Sequence, residues 1–219
     1  MILNIYKPVR WTSFDVVRKI QGITRESKVR HGGTLDPFAD GVLIIGTGQD
    51  TKRLSELLNT KKSYMAKLAL GKGTTTNDPD GDFTSEVPVP HLDEDIILDV
   101  FKSYTGPQLQ IPPMYSAKRV GGKRLYTLAR KNIEVSRKPV PITVYELRLQ
   151  SFDSTQNFIE FKVICSKGTY IRTLGADIAR SLGTEGHLTN LTRTAVGDHS
   201  ITQAISIDQF EKQWKHSEI

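Results

Sequence analysis

The stretch HGGTLDPFADGVLIIGTGQDTK, His31–Lys52, holds two different kinds of structure in succession. Its first half reads as a loop. Gly32, Gly33 and Gly41 permit backbone angles that other residues avoid, and Pro37 stiffens the exit. Its second half contains the continuous apolar run Val42 to Ile45, which predicts a buried strand. One acid, Asp36, stands inside the loop. An aspartate before proline is either a turn former or a reagent. A carboxylate serves as nucleophile or base when it is rigidly held and partly desolvated, and it then needs a cation nearby to stay anionic.

Working outward, Ile2 to Tyr6 reads as a short strand ended by Lys7-Pro8, because proline removes a ladder donor. Thr12 or Ser13 caps a helix with apolar Phe14, Val17 and Ile20. Thr51 to Leu58 has helical spacing at Leu54, Leu57 and Leu58. Ser63 to Leu70 alternates, with Tyr64, Ala66, Leu68 and Leu70 on one face. Thr74 to Pro90 reads as a polar, acidic loop. Asp93 to Tyr104 is a helix with apolar Ile96, Ile97, Val100 and Phe101. Ile111 to Met114 is extended by its prolines, and Lys123 to Lys131 is helical with Leu125, Leu128 and Ala129 inward. Ile142 to Leu149 and Phe158 to Cys165 are strands. Arg172 to Leu182 is a helix ending at Gly183, and Ile207 to Trp214 a last short helix. Strands and helices mix without regular βαβ alternation, so the class is α+β.

The chain has 219 residues, with 30 Lys and Arg against 24 Asp and Glu, a net charge of +6 and a pI of about 9.3. That balance points towards a polyanionic partner. The single cysteine, Cys165, excludes an internal disulfide and a cysteine-cluster metal site. The N-terminus MILNIYKPVRW lacks a signal-peptide layout, and no apolar run approaches membrane-spanning length. The expectation is a soluble cytoplasmic protein without a membrane partner.

Basic residues crowd one segment: Lys118, Arg119, Lys123, Arg124, Arg130, Lys131, Arg137 and Lys138, with Tyr115 and Tyr126 interleaved and Gly121-Gly122 as a flexible tip. Phosphate contacts need cations on an adaptable frame, so an RNA- or DNA-binding surface is the better reading than a solvated charged face. GTGQDTK and GKGTTT imitate phosphate loops, but neither ends in Gly-Lys-Ser/Thr before a helix. The histidines form no helical ligand pair, so metal chemistry lacks support, and no serine sits in a nucleophile elbow. The stretch CSKGTYIRT offers Arg172 as a cation at the start of a helix.

In combination these segments resemble the TruB-type tRNA pseudouridine synthases. The resemblance rests on ordered motifs: KPVRWTS, HGGTLDPFADGVLIIGTGQDTK, KKSYMAKLALG, NDPDG, IPPMYSAKRVGGKRLYTLAR, ITVYEL, CSKGTYIRTLGADIA and HLTNLTRTAVG. It runs from about Leu3 to Gly197. It implies a mixed, largely antiparallel central sheet flanked by helices, with an RNA cleft and a basic thumb at about residues 107–138. It implies isomerisation of the T-loop uridine at tRNA position 55 to pseudouridine, with no cofactor and no metal.

The resemblance puts the catalytic aspartate on Asp36. Tyr64 matches the tyrosine that stacks on the target base and helps remove its C5 proton. Arg172 matches the arginine that pairs with the aspartate, Tyr170 lies beside it as a pocket wall, and Leu191 matches an apolar pocket residue. His31 matches the histidine that enters the T-loop and holds the base out. Lys7, in KPVRWTS, and Asp78, in NDPDG, join the substrate-binding set. Lys118, Arg119, Lys123 and Arg124 belong to the thumb.

The chain departs from the family pattern at Arg10 and Arg30, where glycine is usual, and at Gly32, where many members have threonine. It also stops at Ile219, where members usually continue into a C-terminal RNA-binding domain of the PUA type. The whole chain is therefore expected to be one catalytic domain, acting as a monomer on the tRNA T-arm. Two other readings compete. One is an RNA-binding or tRNA-folding module in which Asp36 is structural. The other is an aspartyl-phosphate enzyme, which would want a close second acid and magnesium, whereas Asp40 stands four residues on in the wrong motif.

Overall fold

The computed structural model describes residues 1–217. In chain order, β1 (Ile2–Lys7) stops at Pro8 and is followed by α1 (Ser13–Thr24). Thr12 caps α1 reciprocally: its hydroxyl accepts from Asp15 N at 3.0 Å, and the Asp15 carboxylate accepts from Thr12 N at 2.9 Å. Then come β2 (Val29–His31), β3 (Asp40–Thr47), a 3-10 turn at Gly48–Lys52, α2 (Leu54–Leu58), β4 (Lys62–Leu70), β5 (Lys72–Thr74) and β6 (Phe83–Glu86). Next are α3 (Glu94–Ser103), capped by Asp93, β7 (Gly106–Gln110), β8 (Arg119–Val120), β9 (Lys123–Arg124), α4 (Leu125–Ala129) and β10 (Val140–Asp153). The chain continues through β11 (Phe158–Cys165), α5 (Ile171–Ser181), β12 (Gly186–Val196), β13 (His199–Ser200) and α6 (Ile207–Ser217).

The chain forms two compact units, Met1–Tyr64 with the segment from Leu191 onward, and Met65–Asn190. In the first, β3 is central. β1 runs antiparallel along one edge, with Ile5 opposite Leu43. The other edge carries antiparallel β2 and, further along, β12 in parallel, with Arg193 opposite Gly41. Leu43 and Ile45 pack in a core with Ile5, Val16, Val17, Ile20 and Phe210. Val42 and Ile44 join Leu54 and Val196 in a second cluster. Both faces of β3 are thus covered, which is why its run is unbroken by polar residues.

In the second unit, β10 pairs antiparallel with β11 on one side and β7 on the other. Phe101 of α3 meets Phe161 of β11 edge to face at 5.8 Å. A Cβ on Gly175 of α5 would lie 2.8 Å from Leu188 of β12, so only glycine lets this helix sit so close to that strand. Predominantly antiparallel pairings, with the parallel β12–β3 contact and a parallel bridge between Ile5 and Ile205, match the α+β expectation. No helix among the described residues is long and apolar enough to cross a membrane.

Several local expectations change. Phe14 is 55% exposed and lies under the Arg18 guanidinium; Val16 takes its place in the core. Residues 51–58 split into the end of a 3-10 turn and a short helix, which meet at Arg53. The expected acidic loop contains β6, which pairs with β5 at the loop's start. Lys123 and Arg124 pair with Val120 and Arg119 as a strand, so the helix there starts only at Leu125. Ile96 faces outward, while Ile97 and Phe101 are buried.

Candidate functional site

Asp36 is half-buried in the loop between β2 and β3, and the peptide groups around it are tied down in turn. The Ser13 hydroxyl accepts from Leu35 N at 2.9 Å and donates to Leu35 O at 3.2 Å. Arg10 N donates to Pro37 O at 2.7 Å, and Ala39 N to Asp36 O at 3.1 Å. Gly32 N donates to Ile44 O at 2.7 Å. From β12, the buried Arg193 donates through Nε to Val42 O at 2.7 Å, through Nη1 to Thr34 O at 3.2 Å and through Nη2 to Gly33 O at 3.3 Å. A carboxylate carried on so constrained a backbone loses little conformational entropy when it engages a substrate.

Charged groups gather beneath this loop. Lys7, with no solvent exposure, donates from Nζ to Pro8 O at 2.9 Å and to Trp11 O at 2.7 Å. Burial lowers its pKa to about 8; the carboxylates of Asp40 and Asp36 act the other way, and Arg193 repels its proton further. The Tyr6 hydroxyl donates to Asp40 Oδ2 at 2.5 Å. That hydrogen bond, with burial and the Asp40 charge, pushes the phenol up to about 12. Burial, and then the charge of Arg193, hold His31 below its ordinary value, while contact with the Gly33 backbone offsets part of this. His31 is accordingly neutral at pH 7.

Arg10 explains one departure from the family pattern. Its φ is 66°, in the left-handed region where glycine costs least, and its side chain is exposed. In this conformation its backbone N donates to Pro37 O.

In the second unit, Arg172 is buried in the first turn of α5. Its Nη1 lies 3.1 Å from Asp78 Oδ2 and donates to Thr76 O at 2.8 Å, and its Nη2 donates to Tyr115 O at 2.8 Å. Asp78 also accepts from the Thr76 hydroxyl and from Asp80 N at 3.0 Å. The Gln110 amide clips the backbone of Tyr170, accepting from its N at 2.8 Å and donating to its O at 3.0 Å. These contacts fix the entry to α5 from both sides.

The basic segment is a small hairpin, β8–β9, turning through Gly121 and Gly122 at φ 56° and 78°. Arg119, Lys123 and Arg124 are exposed on it, and Lys118 is half-buried. Arg119 donates to Gly122 O at 2.9 Å and Arg124 to the Tyr126 hydroxyl at 3.0 Å. The guanidinium of Arg130 stands 5.5 Å from the Tyr126 ring centre.

Asp36, His31, Lys7, Tyr64 and Leu191 therefore fall in the first unit, and Arg172, Tyr170, Asp78 and the basic hairpin in the second. Tyr64 and Leu191 are both buried. Two of these residues are buried and engaged within the protein. The Lys7 ammonium is buried and engaged by two carbonyls. Asp78 is a buried partner of Arg172. Arg193, Gln110 and the Tyr6–Asp40 pair went unrecognised in the sequence, since each acquires its meaning from a partner distant along the chain or across a strand pair.

The family model of the TruB family pseudouridylate synthase (N terminal domain) matches residues 18–171. The tRNA pseudouridine synthase B of Clostridium tetani (strain Massachusetts / E88) is 43% identical over 212 residues, covering 97% of this chain and 73% of that protein. The protein of that name from Parabacteroides distasonis is 41% identical over 221 residues, covering 97% of this chain and 93% of its own. Among solved structures, a chain of a Cbf5-Nop10-Gar1 complex superposes with a TM-score of 0.76 at 28% identity, and this chain spans 56% of its length. The extent of the family-model match and of the identity places this chain in the TruB family of pseudouridylate synthases.

Proposed function

We propose that the chain isomerises uridine to pseudouridine in tRNA, at position 55 of the T-loop, with Asp36 as the reacting carboxylate and Tyr64 and Arg172 as its catalytic partners. The observation that carries this reading is the loop itself: an aspartate at the family's catalytic position, on a backbone held by Ser13, Arg10 and Arg193. The curated relatives named tRNA pseudouridine synthase B support the substrate class.

The target uracil must leave its stack before its glycosidic bond is reachable, at a cost of roughly a few kcal/mol. Stacking on an aromatic face such as Tyr64 returns about 1–3 kcal/mol. Asp36 promotes cleavage of the C1'–N1 bond, the uracil turns within the closed pocket, C5 bonds to C1', the C5 proton leaves, and N1, freed of the sugar, takes up a proton. Substrate and product are isomers, so no oxidant, reductant or group donor enters the balance. Enclosure matters because a free uracil would otherwise escape or meet water. His31, neutral at pH 7, is suited to entering the T-loop without adding charge, and the exposed cations of the β8–β9 hairpin are suited to its phosphates. The protein acts as a monomer on the T-arm.

The test uses an unmodified T-arm transcript carrying tritium at uracil C5. Tritium release by the wild type, lost in Asp36→Asn while RNA binding persists, supports the proposal. RNA binding without release from either protein would leave only an RNA-binding module.

A further inference from the structure

We infer that Arg193 is a positioning residue for the Asp36 loop, acting through three backbone carbonyls rather than by touching substrate. The inference rests on the reading of Asp36 as the reacting carboxylate.

Arg193 is 2% exposed and among the largest fully buried side chains of the chain. A buried guanidinium ordinarily pairs with a carboxylate, since an uncompensated buried charge is costly. The partners described for Arg193 are instead carbonyl oxygens: Gly33 and Thr34 on the approach to Asp36, and Val42 just beyond it at the start of β3. Three acceptors in different directions match the planar fork of arginine and exceed what an ammonium on a flexible stem holds in fixed geometry. The backbone of the same residue sits opposite Gly41 in the parallel β12–β3 pairing. Gly41 has φ 105°, and a Cβ there would stand 2.9 Å from Arg193 N. One residue of β12 therefore ties both ends of the loop. Its charge also reaches the groups around the loop, lowering the proton affinities of Lys7 and His31. A strand formed from the far end of the sequence thus sets where the aspartate stands.

The experiment compares wild type, Arg193→Met, Arg193→Lys and Asp36→Asn in single-turnover tritium release, with T-arm binding and thermal unfolding measured on each. The rate is normalised to RNA-binding-competent protein, so that mere loss of folded material does not register. The expected result is a fall of about 100-fold in the Arg193→Met rate, the order of loss that a small misplacement of a catalytic group produces. RNA affinity is expected to stay within about threefold of wild type, because the interaction removed belongs to the chemical step. Arg193→Lys is expected to recover part of the rate, as it keeps the charge but not the fork. A folded Arg193→Met protein with the wild-type rate, beside an inactive Asp36→Asn, overturns the inference. Should Arg193→Met fail to fold, Arg193→Lys decides in its place: a reduced normalised rate at unchanged affinity supports positioning, and the wild-type rate overturns it. An active Asp36→Asn would sink the reading of Asp36 instead, whatever Arg193 does.

Discussion

Arg172 Nη1 lies 3.1 Å from Asp78 Oδ2, with both side chains sealed from solvent, although the two residues are far apart in sequence. Breaking such a pair takes from a buried charge one of its partners. Asp78→Ala is expected to destabilise the protein by about 3–5 kcal/mol, the usual cost of removing one member of a buried ion pair. Urea unfolding checks this. Asp78→Asn, which keeps an acceptor for Asp80 N, should lose less; equal stability of Asp78→Ala and wild type would show that the other partners of Arg172, the Thr76 and Tyr115 carbonyls among them, suffice for it.

Lys7 makes stability depend on alkaline pH. Its pKa is about 8 in the fold against 10.5 in the free side chain, so the unfolded chain binds the proton more tightly. Below pH 8 both states are protonated and the fold carries the full cost of the buried charge. Between pH 8 and 10.5 the unfolded state holds more protons, and stability therefore rises with pH. The gain of wild type relative to Lys7→Met should reach about 3 kcal/mol across that window. Paired urea titrations at the two ends measure it. A difference that is flat with pH would mean that Lys7 stays charged throughout.

Two glycines should respond in opposite directions to alanine. Gly41 has φ 105° and faces the Arg193 backbone, so Gly41→Ala is strained both in conformation and in space. A loss of at least about 2 kcal/mol is expected. Gly22 lies within α1, and a methyl group there would meet nothing within 4 Å. Gly22→Ala should raise stability by about 1 kcal/mol through helix propensity. Thermal unfolding of both variants checks the pair.

Where the hydrophobic pattern was local, the elements were legible. Lys62, Tyr64, Ala66, Leu68 and Leu70 are all buried along β4, as strict alternation requires. The run Val42 to Ile45 announced β3. β12 escaped notice because its stretch GHLTNLTRTAV is rich in threonine and carries a histidine and an arginine. Those polar groups are buried acceptably only because distant carbonyls receive them: Lys72 O lies 2.8 Å from His187 Nδ1, and Val42, Thr34 and Gly33 accept from Arg193. The Tyr170 backbone likewise depends on Gln110, 60 residues away.

The sequence by itself determined the family, through its ordered motifs, and also the aspartate loop, the basic segment and the periodic strands and helices, because residue spacing acts over one or two turns of chain. Which groups hold Asp36 in place was decided only by the tertiary structure. Strand register brings Arg193 beside Gly41, and that register follows from burying both faces of β3 at once. No local pattern encodes a hydrogen bond spanning 151 residues, since its energy exists only after the strands have paired.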